Sequence, residues 1–321
     1  MIRRVWILSV TALLAISVAR AETTYWRVTM DRMTVITDGN SERCSRFASQ
    51  LVVFERLLRQ LAGWSSDYQP PPIALYSLSQ ADADRVFLSD ADRREQISSN
   101  MRVYSKYLPS RESNLAVTVN ESGSDDPLQS VLLLYAESEL QRGPTGRYPP
   151  WFQFGVANII NGLLIRQDGS VLLNRNVPFE PIEPKNGVAH ERYDLLKLLQ
   201  AGPRDLTAAS DYKEFMRVAR DWAQFGLLTT QQRRVAYRDL AIAMRQGAPA
   251  TEAVKDAFGV PLEEIAAEFH SAVWRKDVQF RVTPPGEPLV IPAPVKLDAD
   301  QAKAVLQLVA TRATRAPGQS M

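Results

Sequence analysis

One cysteine and two histidines are all that this 321-residue chain offers of the side chains that most often bind zinc or cross-link a fold. A lone cysteine excludes an intramolecular disulfide. Cys44, His190 and His270 together cannot build the closed Cys/His cages of structural zinc sites. They could serve an open catalytic site only with carboxylates filling the remaining positions. An excess of one charge is also missing: 38 basic residues stand against 36 acidic ones. That near balance lacks the electrostatic footprint of a nucleic-acid-binding domain.

Recognisable chemical motifs are equally scarce. The 15 glycines are scattered and form no phosphate-cradling loop. No Gly-x-Ser-x-Gly elbow is present, so a serine nucleophile has no context. Aromatic and basic residues are not interleaved along any segment, which leaves single-stranded nucleic-acid binding unsupported. Arg233, Arg234 and Arg238 read as a solvated helix face. What is present is a globular composition, 45% hydrophobic and 23% charged, with enough apolar material to exclude a disordered chain.

The first 21 residues have the form of an export signal. Arg3 and Arg4 make a positive n-region, Val5 to Val18 is a 14-residue apolar run, and Ala19-Arg20-Ala21 supplies the small-x-small cleavage pattern. The run is short for a bilayer span, which takes about 20 residues, and no cysteine follows for a lipid anchor. Cleavage after Ala21 removes three arginines and no acids, leaving 35 basic against 36 acidic residues, a net of −1. The mature chain is expected in the periplasm or secreted, with no membrane span and no nucleic-acid partner.

Residues 24–30 and 33–37 are rich in β-branched and aromatic residues and flank Asp31-Arg32, a hairpin pattern. Cys44, Phe47, Leu51, Phe54, Leu58 and Leu61 repeat in steps of three and four between Asp38-Gly39-Asn40-Ser41 and Gly63, the pattern of one long helix. Cys44 on that face reads as a small buried apolar residue. Residues 73–76 predict a strand, 79–87 a short helix, and 103–107 and 115–119 two more strands. Helices are predicted over 128–140, 151–165, 193–201, 210–227, 230–246, 250–258 and 261–275, with a short strand at 170–173. Pro284, Pro285, Pro288, Pro292 and Pro294 predict an extended linker, followed by a helix over 298–314. The fold class is α+β: an N-terminal mixed β-sheet with a long helix, then a mainly helical lobe.

Val35-Ile36-Thr37-Asp38 leading into a helix that carries Phe54-Glu55-Arg56-Leu57-Leu58, Pro150-Trp151-Phe152-Gln153-Phe154-Gly155-Val156-Ala157-Asn158, Gly169-Ser170-Val171, Ala223-Gln224 and Ala257-Phe258-Gly259 follow one another in a telling order. Over roughly residues 26–285 the chain resembles secreted bacterial relatives of gluzincin zinc metallopeptidases, the peptidase-MA-like superfamily. The stretch from Pro150 is similar to that family's P-x-W-x-x-E-G-x-A-E helix. The resemblance implies a two-lobed metallopeptidase-like scaffold. It also implies a His-Glu-x-x-His helix, in which two histidines one turn apart grip one zinc and the glutamate acts on bound water. No histidine occurs between residues 128 and 189. Phe154 stands where the family carries its ligand glutamate, and Asn158 where it carries the later one. The resemblance therefore implies a pseudopeptidase with no catalytic residue, no metal and no cofactor.

Tyr135, Glu137, Glu139, Gln153, Phe154 and Asn158 are the candidate lining of the relict cleft, with Phe154 filling the metal's space. Glu137 and Glu139 point about 200° apart on a helix and cannot share one ion; each reads as a solvated or salt-bridged surface acid. His190, Glu191 and Asp194 form a His-Glu-x-x-Asp spacing, an alternative atypical metal site for a hydrolase, although they stand at a helix start where acids are common for dipole reasons. His270 reads as a core-edge residue near a helix end. The expected organisation is a signal over 1–21, a two-lobed domain over 22–283 (22–126 sheet lobe, 127–283 helical lobe), a Pro-rich linker over 284–296 and a C-terminal helix and tail over 297–321. The expected function is binding of an unknown peptide or protein partner in the cell envelope; an envelope scaffold working through the C-terminal helix is the third alternative.

Overall fold

The computed structural model describes residues 23–65, 67–87, 106–110, 112–120, 128–143, 147–161, 163–165, 171–173, 194–202, 209–273, 280–282 and 289–313. The expected export signal, residues 103–105 and 193, the prolines at 178, 181 and 184, and His190 with Glu191 lie outside them.

Strands β1 (Tyr25–Met30) and β2 (Met33–Asp38) form the antiparallel hairpin. Helix α1 (Ser41–Ala62) follows at once. Asn40 caps its start by accepting from the Arg43 N–H at 2.9 Å, and Gly63 closes it at φ 69°, a left-handed value that suits glycine. Every residue of the predicted apolar face, from Cys44 to Leu61, is buried. Strand β3 (Ile73–Ser79), helix α2 (Gln80–Phe87), and strands β4 (Lys106–Leu108) and β5 (Asn114–Asn120) complete the first lobe. The β2–β3 and β3–β5 pairs are parallel, and β4–β5 is antiparallel. The sheet is mixed, and the α+β architecture is as expected.

Alternation along the strands separates two cores. Val28, Val35, Leu75 and Ala116 face α1 and the helical lobe; Tyr25, Ile36, Tyr76 and Val117 face the other way. The helical lobe begins with α3 (Leu128–Arg142) and α4 (Pro150–Asn161), which pack against each other and against α1. It continues through α5 (Leu195–Gln200), α6 (Ala209–Leu228), α7 (Gln231–Arg245), α8 (Ala250–Phe258) and α9 (Leu262–Val273).

Three sequence expectations need correction. The helix predicted over 151–165 stops at Asn161, and Leu163–Ile165 is instead strand β6, paired antiparallel with β7 (Val171–Leu173). The Asn161-Gly162 dipeptide is a stop signal, and β-pairing wins for the three apolar residues beyond it. A third strand, β8 (Phe280–Val282), joins this small sheet and has too short a pattern to stand out in sequence. The arginines of α7 are not a solvated face. Arg238 reaches the Gln60 and Leu61 carbonyls at the end of α1, Arg234 donates to the Leu227 carbonyl at 3.0 Å, and Arg233 pairs with Glu268. Helix ends expose carbonyls that need donors, and Arg234 and Arg238 supply them.

The Pro-rich segment is more than a linker. Leu289 and Ile291 pack on the main core, and Val295–Lys296 forms β9, the sheet's edge strand beside β1. The sheet order is β4-β5-β3-β2-β1-β9. Helix α10 (Ala299–Ala313) then covers the second face with α2, burying Val309, while Leu297 is buried just before it. Arg312 donates to the Ser113 carbonyl at 2.6 Å. Val309→Ala is expected to cost about 2–3 kcal/mol, the value of two buried methyls plus the gap they leave. Urea denaturation checks this; no change in midpoint would mean that α10 is not docked in solution.

Candidate functional site

The six candidate cleft residues separate into groups. Tyr135 is fully buried and packs its ring on Phe54 at 5.7 Å and Tyr107 at 5.5 Å between centroids. Glu139 lies on the same side of α3 and is not a surface acid: its side chain is 0% exposed. Its Oε1 accepts from Arg142 at 2.7 Å, Tyr107 at 3.0 Å and Asn114 at 3.1 Å, while Oε2 is buried without a hydrogen-bond partner. Burial pushes the Glu139 carboxyl above the usual range, against the opposing pull of Arg142 and the three donors. Burial also raises the Tyr107 phenol, with the Glu139 charge adding to the effect.

Gln153 and Asn158 turn inward from α4. Gln153 is 2% exposed and its amide donates to the Tyr148 carbonyl. Asn158 donates to the Phe154 carbonyl at 2.7 Å and contacts the Met216 sulfur at 3.8 Å. Their amide N–H groups are thus spent on the local backbone and on the Met216 sulfur.

Glu137 and Phe154 are the pair that remain half-buried. The Phe154 ring meets Tyr212 and Phe215 of α6 edge-on, at 5.9 and 5.8 Å between centroids. Glu137 is close enough to raise the Tyr212 phenol by its charge, though burial is the larger cause there. Burial raises the Glu137 carboxyl as well. Leu133 and Leu134 share this half-buried side of α3. Half-buried Leu133, Leu134 and Glu137 of α3 and Phe154 of α4 thus lie near Tyr212 of α6, a partly exposed apolar patch with one carboxyl and one phenol, called the α3–α4–α6 groove.

Asp194 is committed elsewhere: its carboxylate caps α5 by accepting from Leu196 at 2.9 Å and Lys197 at 3.2 Å. Among the described residues no three His, Cys, Asp or Glu side chains converge to hold a metal ion. His270 sits half-buried in the last turn of α9, beside the Phe269 ring. Cys44 is fully buried, its thiol donating to the Trp26 carbonyl at 3.3 Å, and burial raises its pKa.

Sequence reasoning missed Tyr107, Asn114 and Arg142 around Glu139, and Tyr212 beside Phe154. Only Arg142 carried a local signal, three residues after Glu139 on one helix. The others arrive from distant elements. No described helix is long and apolar enough to cross a membrane. No family model matches the chain, and no curated protein matches it.

Proposed function

We propose that this chain is an exported, non-catalytic relative of zinc metallopeptidases that holds a peptide or protein partner of the cell envelope in the α3–α4–α6 groove. One observation carries the reading: Phe154, at the position of the family's ligand glutamate, is packed edge-on between Tyr212 and Phe215. An aromatic wedge there has no lone pair for a cation and suits an apolar side chain of a bound partner. The form of residues 1–21 supports export. The rival hydrolase built on His190, Glu191 and Asp194 is weakened by the capping role of Asp194. The rival scaffold is weakened because α10 spends apolar surface on its own sheet.

The ancestry is tested by restoring ligands. Leu133 and Glu137 stand one turn apart on the groove side of α3, so Leu133→His, Glu137→His and Phe154→Glu together should create a three-ligand zinc site. The natural chain is expected to hold no zinc after dialysis, and the triple variant one equivalent. A folded triple variant without zinc, or stoichiometric zinc in the natural chain that His190→Ala removes, overturns the reading. The binding role is tested with a tryptic digest of casein. The natural chain should retain peptides without cleaving them, and Phe154→Asp should lose them. Cleavage, or retention unchanged by Phe154→Asp, counts against it.

A further inference from the structure

A concave site lies where the start of α4, the end of α5 and the α7–α8 connection meet. It is an open depression of about 540 Å³, a volume within the range of small-molecule sites. None of its lining residues belongs to the α3–α4–α6 groove, so it stands independently of the function proposed above.

Its charge is one-sided. Among the described residues Arg147 and Arg245 line it, and no carboxylate side chain does. Arg245 is half-buried, with its guanidinium 5.6 Å from the centre of the Tyr148 ring. Its Nη1 is screened from solvent and has no acceptor among the described residues. Arg59, Arg142, Arg220 and Arg233 each pair with a carboxylate; among the described residues neither Arg147 nor Arg245 does. A half-buried guanidinium without a counter-charge is costly unless an anion joins it.

Two further features favour an anion with an organic body. Helices α4 and α8 both begin at the cavity wall, and α8 opens on Pro249, whose side chain cannot accept from the first-turn N–H groups. The remaining wall is largely apolar, including Leu199 and Met244. A bare inorganic ion would leave that wall and most of the volume unused.

We infer that this cavity binds a small organic anion, its carboxylate or phosphate group held by Arg147 and Arg245 near the start of α8 and its apolar body against Leu199 and Met244. Calorimetric titration of the purified full chain tests this with N-acetylphenylalanine, phenyl phosphate and the neutral N-acetylphenylalanine amide. At least one acid is expected to bind in the micromolar to millimolar range, and the amide to bind far more weakly. The tighter of the two acids identifies the headgroup. Arg245→Gln should weaken that acid about tenfold or more, the fold-change expected for one charge-assisted contact. Arg147→Gln, at an exposed side chain outside the core, should weaken it in the same direction in a chain whose folding is not in question. Phe154→Ala should leave it unchanged, which separates this cavity from the groove. No binding of either acid at millimolar concentration overturns the inference. So does an amide that binds as well as its acid, or an affinity indifferent to both arginine substitutions.

Discussion

Glu139→Ala is expected to lower the free energy of unfolding by about 3 kcal/mol, measured by urea denaturation. Three donors converge on the Glu139 Oε1, from Tyr107, Asn114 and Arg142. Alanine leaves them without their acceptor, and removing one partner of a buried ion pair costs about 3–5 kcal/mol. The lower end applies because the Arg142 side chain is 34% exposed and can turn to water. Glu139→Gln keeps an oxygen at the same place and should cost about 1 kcal/mol. An alanine effect within about 0.5 kcal/mol of zero, the range of ordinary surface changes, would mean that the cluster is not formed in solution.

The same residue sets a pH dependence. Burial raises the carboxyl of folded Glu139 above its unfolded value, so the folded chain binds the proton more tightly than the unfolded one. The stability this confers is fully present below the unfolded carboxyl range and is lost as pH rises through the raised folded value. Glu137 is shifted in the same direction. Unfolding free energies measured from about pH 4 to 8 should therefore fall more for the natural chain than for Glu139→Gln. The gap between the two should narrow with rising pH. A gap that widens has the opposite sign and excludes a raised carboxyl.

Gly155→Ala should be comparably damaging, at or above the upper end of the roughly 1–3 kcal/mol typical of overpacking. A Cβ at Gly155 would meet the Ala219 carbonyl oxygen at 2.5 Å and the Ala223 Cβ at 2.8 Å. The first of these is backbone and cannot swing aside, so α4 and α6 would have to separate. Separation would loosen the packing of Phe154 on Phe215. A fall of roughly 5–10 °C in Tm is expected. Adding Ala223→Gly removes only the second contact and should restore only part of the loss. Full rescue by that change, or a neutral Gly155→Ala, would show that the helices do not approach this closely.

Much of the fold was legible because it is locally encoded. Asn40 and Gly63 bracket α1 by capping chemistry, and its apolar face is spaced at helical period, so its limits follow from nearby residues. The β1–β2 hairpin follows from two β-rich runs around a two-residue turn. Local signals fail where a partner outside the segment decides. Leu163-Leu164-Ile165 suits the end of a helix or a strand, and pairing with Val171–Leu173 settles it. Val295–Lys296 looks like part of a proline-spaced tether until β1 is beside it.

The candidate site was legible to a lesser degree. The rotation between Glu137 and Glu139 placed them on different sides of one helix, as α3 has them. Periodicity alone could not say that the Glu139 side meets β4 and β5 and is closed to solvent, while the Glu137 side opens on α4 and α6. Tyr107 and Asn114 come to Glu139 from 32 and 25 residues away in the chain.

By itself, then, the sequence determined the first-lobe strands and most of the helices, the α+β class, the export-like pattern of residues 1–21 and the absence of histidine from residues 128–189, because each depends on residue identity and short-range spacing. The tertiary structure alone decided which acid is buried, that Phe154 is wedged between Tyr212 and Phe215, that α10 closes the sheet, and that Arg147 and Arg245 share a cavity. Those outcomes depend on which helix faces meet, and the side chains that meet there come from segments too far apart for any local pattern to record them.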